Sequence, residues 1–62
     1  MIGINSLVQL KRGPLTTGLV TGQYESDGDV TVWIKWDGGI VETRKVKELR
    51  EVATFHTAEK RI

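Results

Sequence analysis

Apolar and polar residues alternate along most of the chain with a period of two, the signature of half-buried strands. The clearest run is residues 29–41. Val30, Val32, Ile34 and Trp36 fall on one side of a pleated strand, and Thr31, Trp33 and Lys35 fall on the other. The first side predicts a core row. The second predicts a solvent-facing row with one tryptophan between polar neighbours. Asp37, Gly38 and Gly39 then signal a tight hairpin turn.

The same period recurs on either side of this run. In residues 7–12, Val8 and Leu10 oppose Gln9 and Lys11, which predicts a first strand. Gly13 and Pro14 end it, and Leu15, Thr16 and Thr17 continue the loop. In residues 18–24, Gly18, Val20, Gly22 and Tyr24 share one face of a second strand. Its glycines predict strong curling. Residues 25–29 are a polar turn. Residues 40–45 form a fourth strand, with Val41 and Thr43 expected inside and Glu42 and Arg44 outside. Val46 and Leu49 are three apart, a spacing that suits a single 3₁₀ turn. Residues 50–53 complete the set as a short closing strand. Residues 55–62 are a tail that holds Phe55, the single histidine His56 and Ile62.

Four or five short strands without helical periodicity predict an all-β fold: one strongly bent antiparallel sheet with a 3₁₀ turn before its last strand. The expected domain is residues 1–54, and the tail either packs on it or faces a partner. Curling the sheet into a barrel removes exposed edges and gives one core. The inward residues are then Val8, Leu10, Val20, Val30, Val32, Ile34, Trp36, Val41, Val46, Leu49 and Val52.

Four pieces of the chain carry a resemblance: residues 8–11, 18–22, 30–39 and 46–52. Their layout resembles the SH3-like small barrels of the Tudor, chromo-barrel and KOW kinds. It is similar to the Tudor-like C-terminal domain of bacterial repair helicases, to the C-terminal domain of retroviral integrases and to the photosystem I subunit of this fold. The resemblance implies a binding module, and one such barrel serves many roles. Plasmid-encoded dihydrofolate reductases share the layout too. Their Val-Gln-Ile-Tyr stretch aligns near residues 40–43, where this chain reads Ile-Val-Glu-Thr, so their activity does not carry over.

Composition narrows the chemistry. At 62 residues the chain buries only about 60% of its unfolded surface, so assembly or binding is a natural source of stability. The absence of cysteine rules out disulfides and thiolate sites, and one histidine cannot build a usual zinc site in a single chain. No cofactor is expected. No apolar run approaches a membrane span and no signal peptide is evident, so a cytoplasmic location is the expectation. No nucleophile motif, phosphate loop or paired catalytic carboxylates stand out, which predicts a non-enzymatic protein.

The net charge of +1 says little, but its distribution says more. Residues 25–42 hold five acids against Lys35 alone, while residues 43–50 hold Arg44, Lys45, Lys47 and Arg50 against Glu48. Lys11 and Arg12 form a second basic spot. Trp33, Lys35, Lys11, Arg12, Arg44, Lys45 and Lys47 are therefore the candidate binding residues. The cations suit phosphates, with weak and salt-dependent binding of DNA or RNA. Trp33 suits base stacking or a protein hot spot. The alternatives are ordinary solvated charge and a Trp33 covered by the tail or by the Leu15 loop. A Tudor-type aromatic cage would draw on Tyr24 and Trp33, with Trp36 and Phe55. Two functions stay open. One is a nucleic-acid-binding module, alone or within a nucleic-acid-processing complex. The other is a small adaptor or inhibitor that binds a larger protein, of the kind phages and plasmids encode. Self-association into a homo-oligomer is a third arrangement.

Overall fold

The structure, a computed structural model, describes residues 1–54; the expected tail at 55–62 lies outside the described residues. The strands are β1 (Ser6–Leu10), β2 (Gly18–Ser26), β3 (Asp29–Trp36), β4 (Val41–Lys45) and β5 (Leu49–Thr54). A 3₁₀ turn (Val46–Glu48) precedes β5, as the spacing of Val46 and Leu49 predicts. They form one sheet in the order β4-β3-β2-β1-β5, and the neighbouring strands pair antiparallel. The expected all-β architecture of bent antiparallel strands is what the chain adopts. The sheet curls until the 3₁₀ turn carries the chain from edge strand β4 to edge strand β5. The backbone N–H of Lys11 donates to the Glu48 carbonyl at 3.0 Å, tying the end of β1 to that turn.

Two hairpin turns set the registers. β2 and β3 are joined by Asp27 (φ 53°) and Gly28 (φ 81°), so both turn residues are left-handed. That is the two-residue hairpin whose twist matches its strands, and Asp-Gly is its preferred sequence. β3 and β4 are joined through Asp37, Gly38 and Gly39. The Trp36 N–H donates to the Ile40 carbonyl at 2.7 Å, and the Gly39 N–H donates to the Trp36 carbonyl at 2.8 Å.

The core is Val8, Val20, Val32, Ile34, Trp36 and Leu49, with Ile2, Leu10 and Val46 packed against it. Ile2 was outside the expected inward set. Three residues of that set are instead exposed: Val30, Val41 and Val52. Each has its own cause. Val30 is on the core side of the pleat, but it pairs with Glu25 beyond Thr31, the last β3 residue that β4 reaches. It therefore lies on a two-stranded extension, where it is 42% exposed. Val41 pairs with Lys35, which is on the outer row. Val52 cannot share a strand face with Leu49 three positions earlier. It is the extra residue of a bulge, since Val8 pairs with Glu51 and Leu7 with Ala53.

A second bulge divides β2. Val20 pairs with Ile34 and Gly22 with Trp33, which leaves Thr21 unpaired between them. The strand changes face there. Gly18 and Val20 point to the core, and Gly22 and Tyr24 point outward with Trp33. The expectation that all four share one face is corrected by this single extra residue.

Gly18 has a packing reason to be glycine. A Cβ at this position would overlap Ile34 Cγ2 and come within 2.7 Å of Trp36 Cε3. The Trp36 ring lies against the β2 backbone where the side chain is missing. Gly18→Ala should therefore destabilise the fold by about 1–3 kcal/mol through overpacking. Val30→Thr, on the two-stranded extension, should change stability by less than about 0.5 kcal/mol. Thermal unfolding followed by circular dichroism checks both; equal melting temperatures for the two variants would contradict this packing.

Candidate functional site

The strand at the open edge, β4, faces the reverse of its expected direction. Three turn residues place Ile40 opposite Trp36. Glu42 then stands opposite core residue Ile34, and Arg44 opposite core residue Val32. Val41 and Thr43 face outward beside Lys35 and Trp33. Glu42 and Arg44 are tolerated on the core side because β4 is an edge strand and both side chains remain more than a third exposed. Polar heads there reach water past the rim of the sheet.

Trp36 explains why a carboxylate stands at this rim. A buried indole N–H needs an acceptor. Trp36 Nε1 donates to Glu42 Oε2 at 2.8 Å, and Arg44 Nε donates to the same oxygen at 2.9 Å. The Arg44 hydrogen bond, and after it that of Trp36, holds the Glu42 carboxyl below the ordinary carboxylate range. The carboxylate thus couples the core tryptophan to the orientation of a surface guanidinium.

Arg44 lines a groove of about 400 Å³, whose other walls are Leu10, Lys11, Arg12, Lys47 and Glu48. Lys11 and Arg12 leave the end of β1, Arg44 comes from β4, and Lys47 and Glu48 come from the 3₁₀ turn. The Lys11 N–H bond to Glu48 holds the first segment against the third. Four cations and one acid thus surround one concavity. Lys11 and Arg12 have no ion-pair partner among the described residues; Lys47 Nζ lies 3.8 Å from Asp29 Oδ2.

Of the seven residues expected at a binding site, the structure brings Lys11, Arg12, Arg44 and Lys47 together and places the other three elsewhere. Trp33 and Lys35 are on the outer face of β3. Lys45 is on the outer face of β4, where its Nζ lies 3.5 Å from Asp29 Oδ2. The acidic turn that holds Asp29 therefore offsets part of the basic segment 43–50. Trp33 is 46% exposed and Tyr24 is 44% exposed. Their ring centroids are 6.4 Å apart with planes at 48°. The Leu15 loop leaves Trp33 half exposed, and Leu15 is itself exposed. Trp36 is committed to the core, so only Tyr24 and Trp33 of the expected cage aromatics stand together among the described residues.

Sequence reasoning missed the part that Glu42 plays. The signal was available in the turn: with three residues between Trp36 and Ile40, the even-numbered positions of β4 must share the face of Ile34. A second carboxylate, Glu51, serves the opposite end of the sheet. It accepts hydrogen bonds from the Met1 ammonium at 2.9 Å, from Ser6 Oγ at 3.0 Å and from Thr54 Oγ1 at 2.9 Å. The ammonium first, then the two hydroxyls, hold its carboxyl below the usual range. Among the described residues no three histidine or carboxylate side chains come together as metal ligands, and no helix is long and apolar enough to cross a membrane.

No protein-family model matches the chain, and neither a curated protein nor a solved structure matches it.

A carboxylate with a depressed folded value stabilises the fold above its unfolded value and loses that contribution as pH falls through the folded one. The Trp36–Glu42–Arg44 contribution is therefore complete above the ordinary carboxyl value of 4.5 and fades below it. Glu42→Gln, which cannot ionise, should lose less melting temperature than the wild type between neutral pH and pH ~3, a range that spans carboxylate titration. Glu51 titrates in both proteins and cancels in the comparison. Acid limbs of equal depth would show that the Glu42 charge does not support the fold.

Proposed function

We propose that this protein is a non-enzymatic binding module whose groove grips the phosphate backbone of a nucleic acid. One observation carries this function. Lys11, Arg12, Arg44 and Lys47, drawn from three separate segments, surround a single concavity with only Glu48 as an acid, in a chain whose net charge is +1. Glu42 pairs with Arg44 at 2.9 Å and Asp29 lies 3.8 Å from Lys47, so the net positive charge of the groove rests on Lys11 and Arg12, with Arg44 and Lys47 as further donors. Guanidinium groups bind phosphate oxygens in a fork, and lysines add point charge. Arg44 is held by Glu42 before any ligand arrives, which lowers the ordering cost of binding.

Contacts of this kind release counterions and carry little sequence information. The module is therefore expected to bind weakly and to work as an auxiliary domain or within a larger nucleic-acid-processing assembly, in the cytoplasm. The layout shared with SH3-like Tudor and KOW modules is consistent with that role. The rival function, an adaptor or inhibitor of a larger protein, draws on a different observation: Val41, Trp33 and Tyr24 are exposed on the outer face.

Fluorescence anisotropy with a labelled oligonucleotide at low salt tests the groove. Four phosphate contacts predict a log–log salt slope of about −3. Lys11→Ala combined with Arg12→Ala should weaken binding to every sequence alike and reduce the steepness of the slope by about half, to about −1.5. Absence of binding in low-salt buffer at micromolar protein would overturn the function. So would binding that is indifferent to the paired substitution.

A further inference from the structure

The outer face of β2, β3 and β4 is built of three cross-strand rows. The first is Leu19–Lys35–Val41, the second Gly22–Trp33–Thr43 and the third Tyr24–Thr31–Lys45. Directly opposed residues share a face, so all nine side-chain positions are on this one side of the sheet, where Thr31 is buried rather than solvent-facing as its alternation predicts. Its formal charges are Lys35 and Lys45, and none of the nine is a carboxylate. Asp29, next along β3, takes Lys45 as a partner; Lys35 has none among the described residues.

Trp33 occupies the centre of the middle row. Gly22 beside it has no side chain, and a Cβ there would stand 3.4 Å from Trp33 Cδ1, so the indole packs over the β2 backbone. Tyr24 is its diagonal neighbour at 6.4 Å, tilted by 48°. At that distance and angle the rings do not stack on each other. Each leaves a face open to a planar ligand.

We infer that this face stacks the bases of a single-stranded nucleic acid on Trp33 and Tyr24, so that the module selects single strands over duplex. The inference rests on the reading of the groove as a phosphate site. Bases in a duplex are stacked about 3.4 Å apart along each strand and hide their faces from a flat protein surface. The two rings are 6.4 Å apart, so bases seated on both must be drawn away from each other. A flexible single strand allows that; a duplex does not. Lys35 and Lys45 flank the rings with charge complementary to the linking phosphates. The groove and this face meet at β4, a strand with no further neighbour among the described residues. Arg44 faces the groove side and Thr43 and Lys45 face the outer side. A strand lying along that edge reaches both surfaces.

The test is a titration of the full chain with a labelled thymidine oligonucleotide and with a duplex of equal length. Anisotropy and intrinsic tryptophan emission are read together. Trp36 shares the Glu42 carboxylate with Arg44 of the groove, so the emission change is assigned to Trp33 by its loss in Trp33→Phe. The expected result is quenching by the single strand and at least about 10-fold tighter binding of it than of duplex, within the range of base–aromatic stacking. Trp33→Ala should lower single-strand affinity about 10-fold with the salt slope unchanged, and Trp33→Phe should restore most of it. Tyr24→Ala, which leaves the Trp33–Gly22 contact in place, should weaken single-strand binding as well. It keeps the test alive if thermal melting shows Trp33→Ala to be unfolded.

Equal affinity for duplex and single strand, with no effect of Trp33→Ala or Tyr24→Ala, would overturn the stacking and leave the groove intact. Binding that survives Lys11→Ala with Arg12→Ala but is lost in the Trp33 and Tyr24 variants would overturn the groove alone. No quenching, with a mass that rises with concentration in light scattering, would assign the face to a second copy of the chain and overturn the stacking.

Discussion

Trp36 makes two demands, and much of the molecule answers them. Its ring needs a flat neighbour, which the missing side chain of Gly18 supplies on β2. Its N–H needs an acceptor, which Glu42 supplies on β4. The first demand draws β2 against β3 at the centre of the sheet, where Val20 and Ile34 complete the packing. The second places a carboxylate on the inner side of an edge strand, where a hydrophobic residue is otherwise expected. Glu42 carries that side into water and holds Arg44 with the same oxygen. Core packing and the posture of the groove are thus linked through one indole. Removing Glu42 would leave a buried donor unpaired, which costs more than the hydrogen bond itself contributes.

The class of fold was legible because period-two alternation and turn chemistry agree along the whole of 6–54. Val8, Val20, Val32, Ile34, Trp36 and Leu49 are all buried as their alternation predicts. What alternation does not carry is parity across an irregularity. Thr21 adds one residue to β2 and moves Tyr24 to the opposite face. Val52 does the same to β5. The three-residue turn sets Ile40 opposite Trp36, which reverses β4 from its expected facing and exchanges Val41 for Glu42 on the inner side. Each of these errors has the same size, one residue, and each inverts every side chain that follows on its strand. Val30 is a different case. Its face was read correctly, but the hairpin there outruns the strands that would cover it.

The candidate site was half legible for the same reason. Lys11, Arg12 and Lys47 project from the ends of elements, where pleat parity has little say, and they do converge. Arg44 converges too, although its strand was read in the opposite register, because β4 is an edge and its inner side opens onto the groove. Trp33 and Lys35 were correctly placed on an outer face, whereas Lys45 is in phase with Val41 and Thr43, and charge counting along the chain could not separate that face from the groove. Asp29 marks the division. Its carboxylate stands 3.5 Å from Lys45 and 3.8 Å from Lys47, and Glu42 stands 2.9 Å from Arg44, so among the described residues of the groove the unpaired cations are Lys11 and Arg12. Exposed pairs of this kind contribute little to stability. Their consequence here is where the positive potential is left unbalanced.

β4 is where these constraints meet. An unpaired edge strand invites pairing with another chain unless it is short, charged or twisted away. β4 is five residues long, with Glu42, Arg44 and Lys45 among them. Those charges blunt the edge, and they also decide what can lie along it. A second β-strand would have to bring its backbone past the two cations of this edge, Arg44 and Lys45. A phosphate backbone meets no such obstacle, because it accepts from guanidinium and ammonium groups without needing ladder hydrogen bonds. Under the proposed function, protection of the edge against self-pairing and attraction of an anionic chain come from the same side chains, with Arg44 balanced by the carboxylate that also accepts from Trp36.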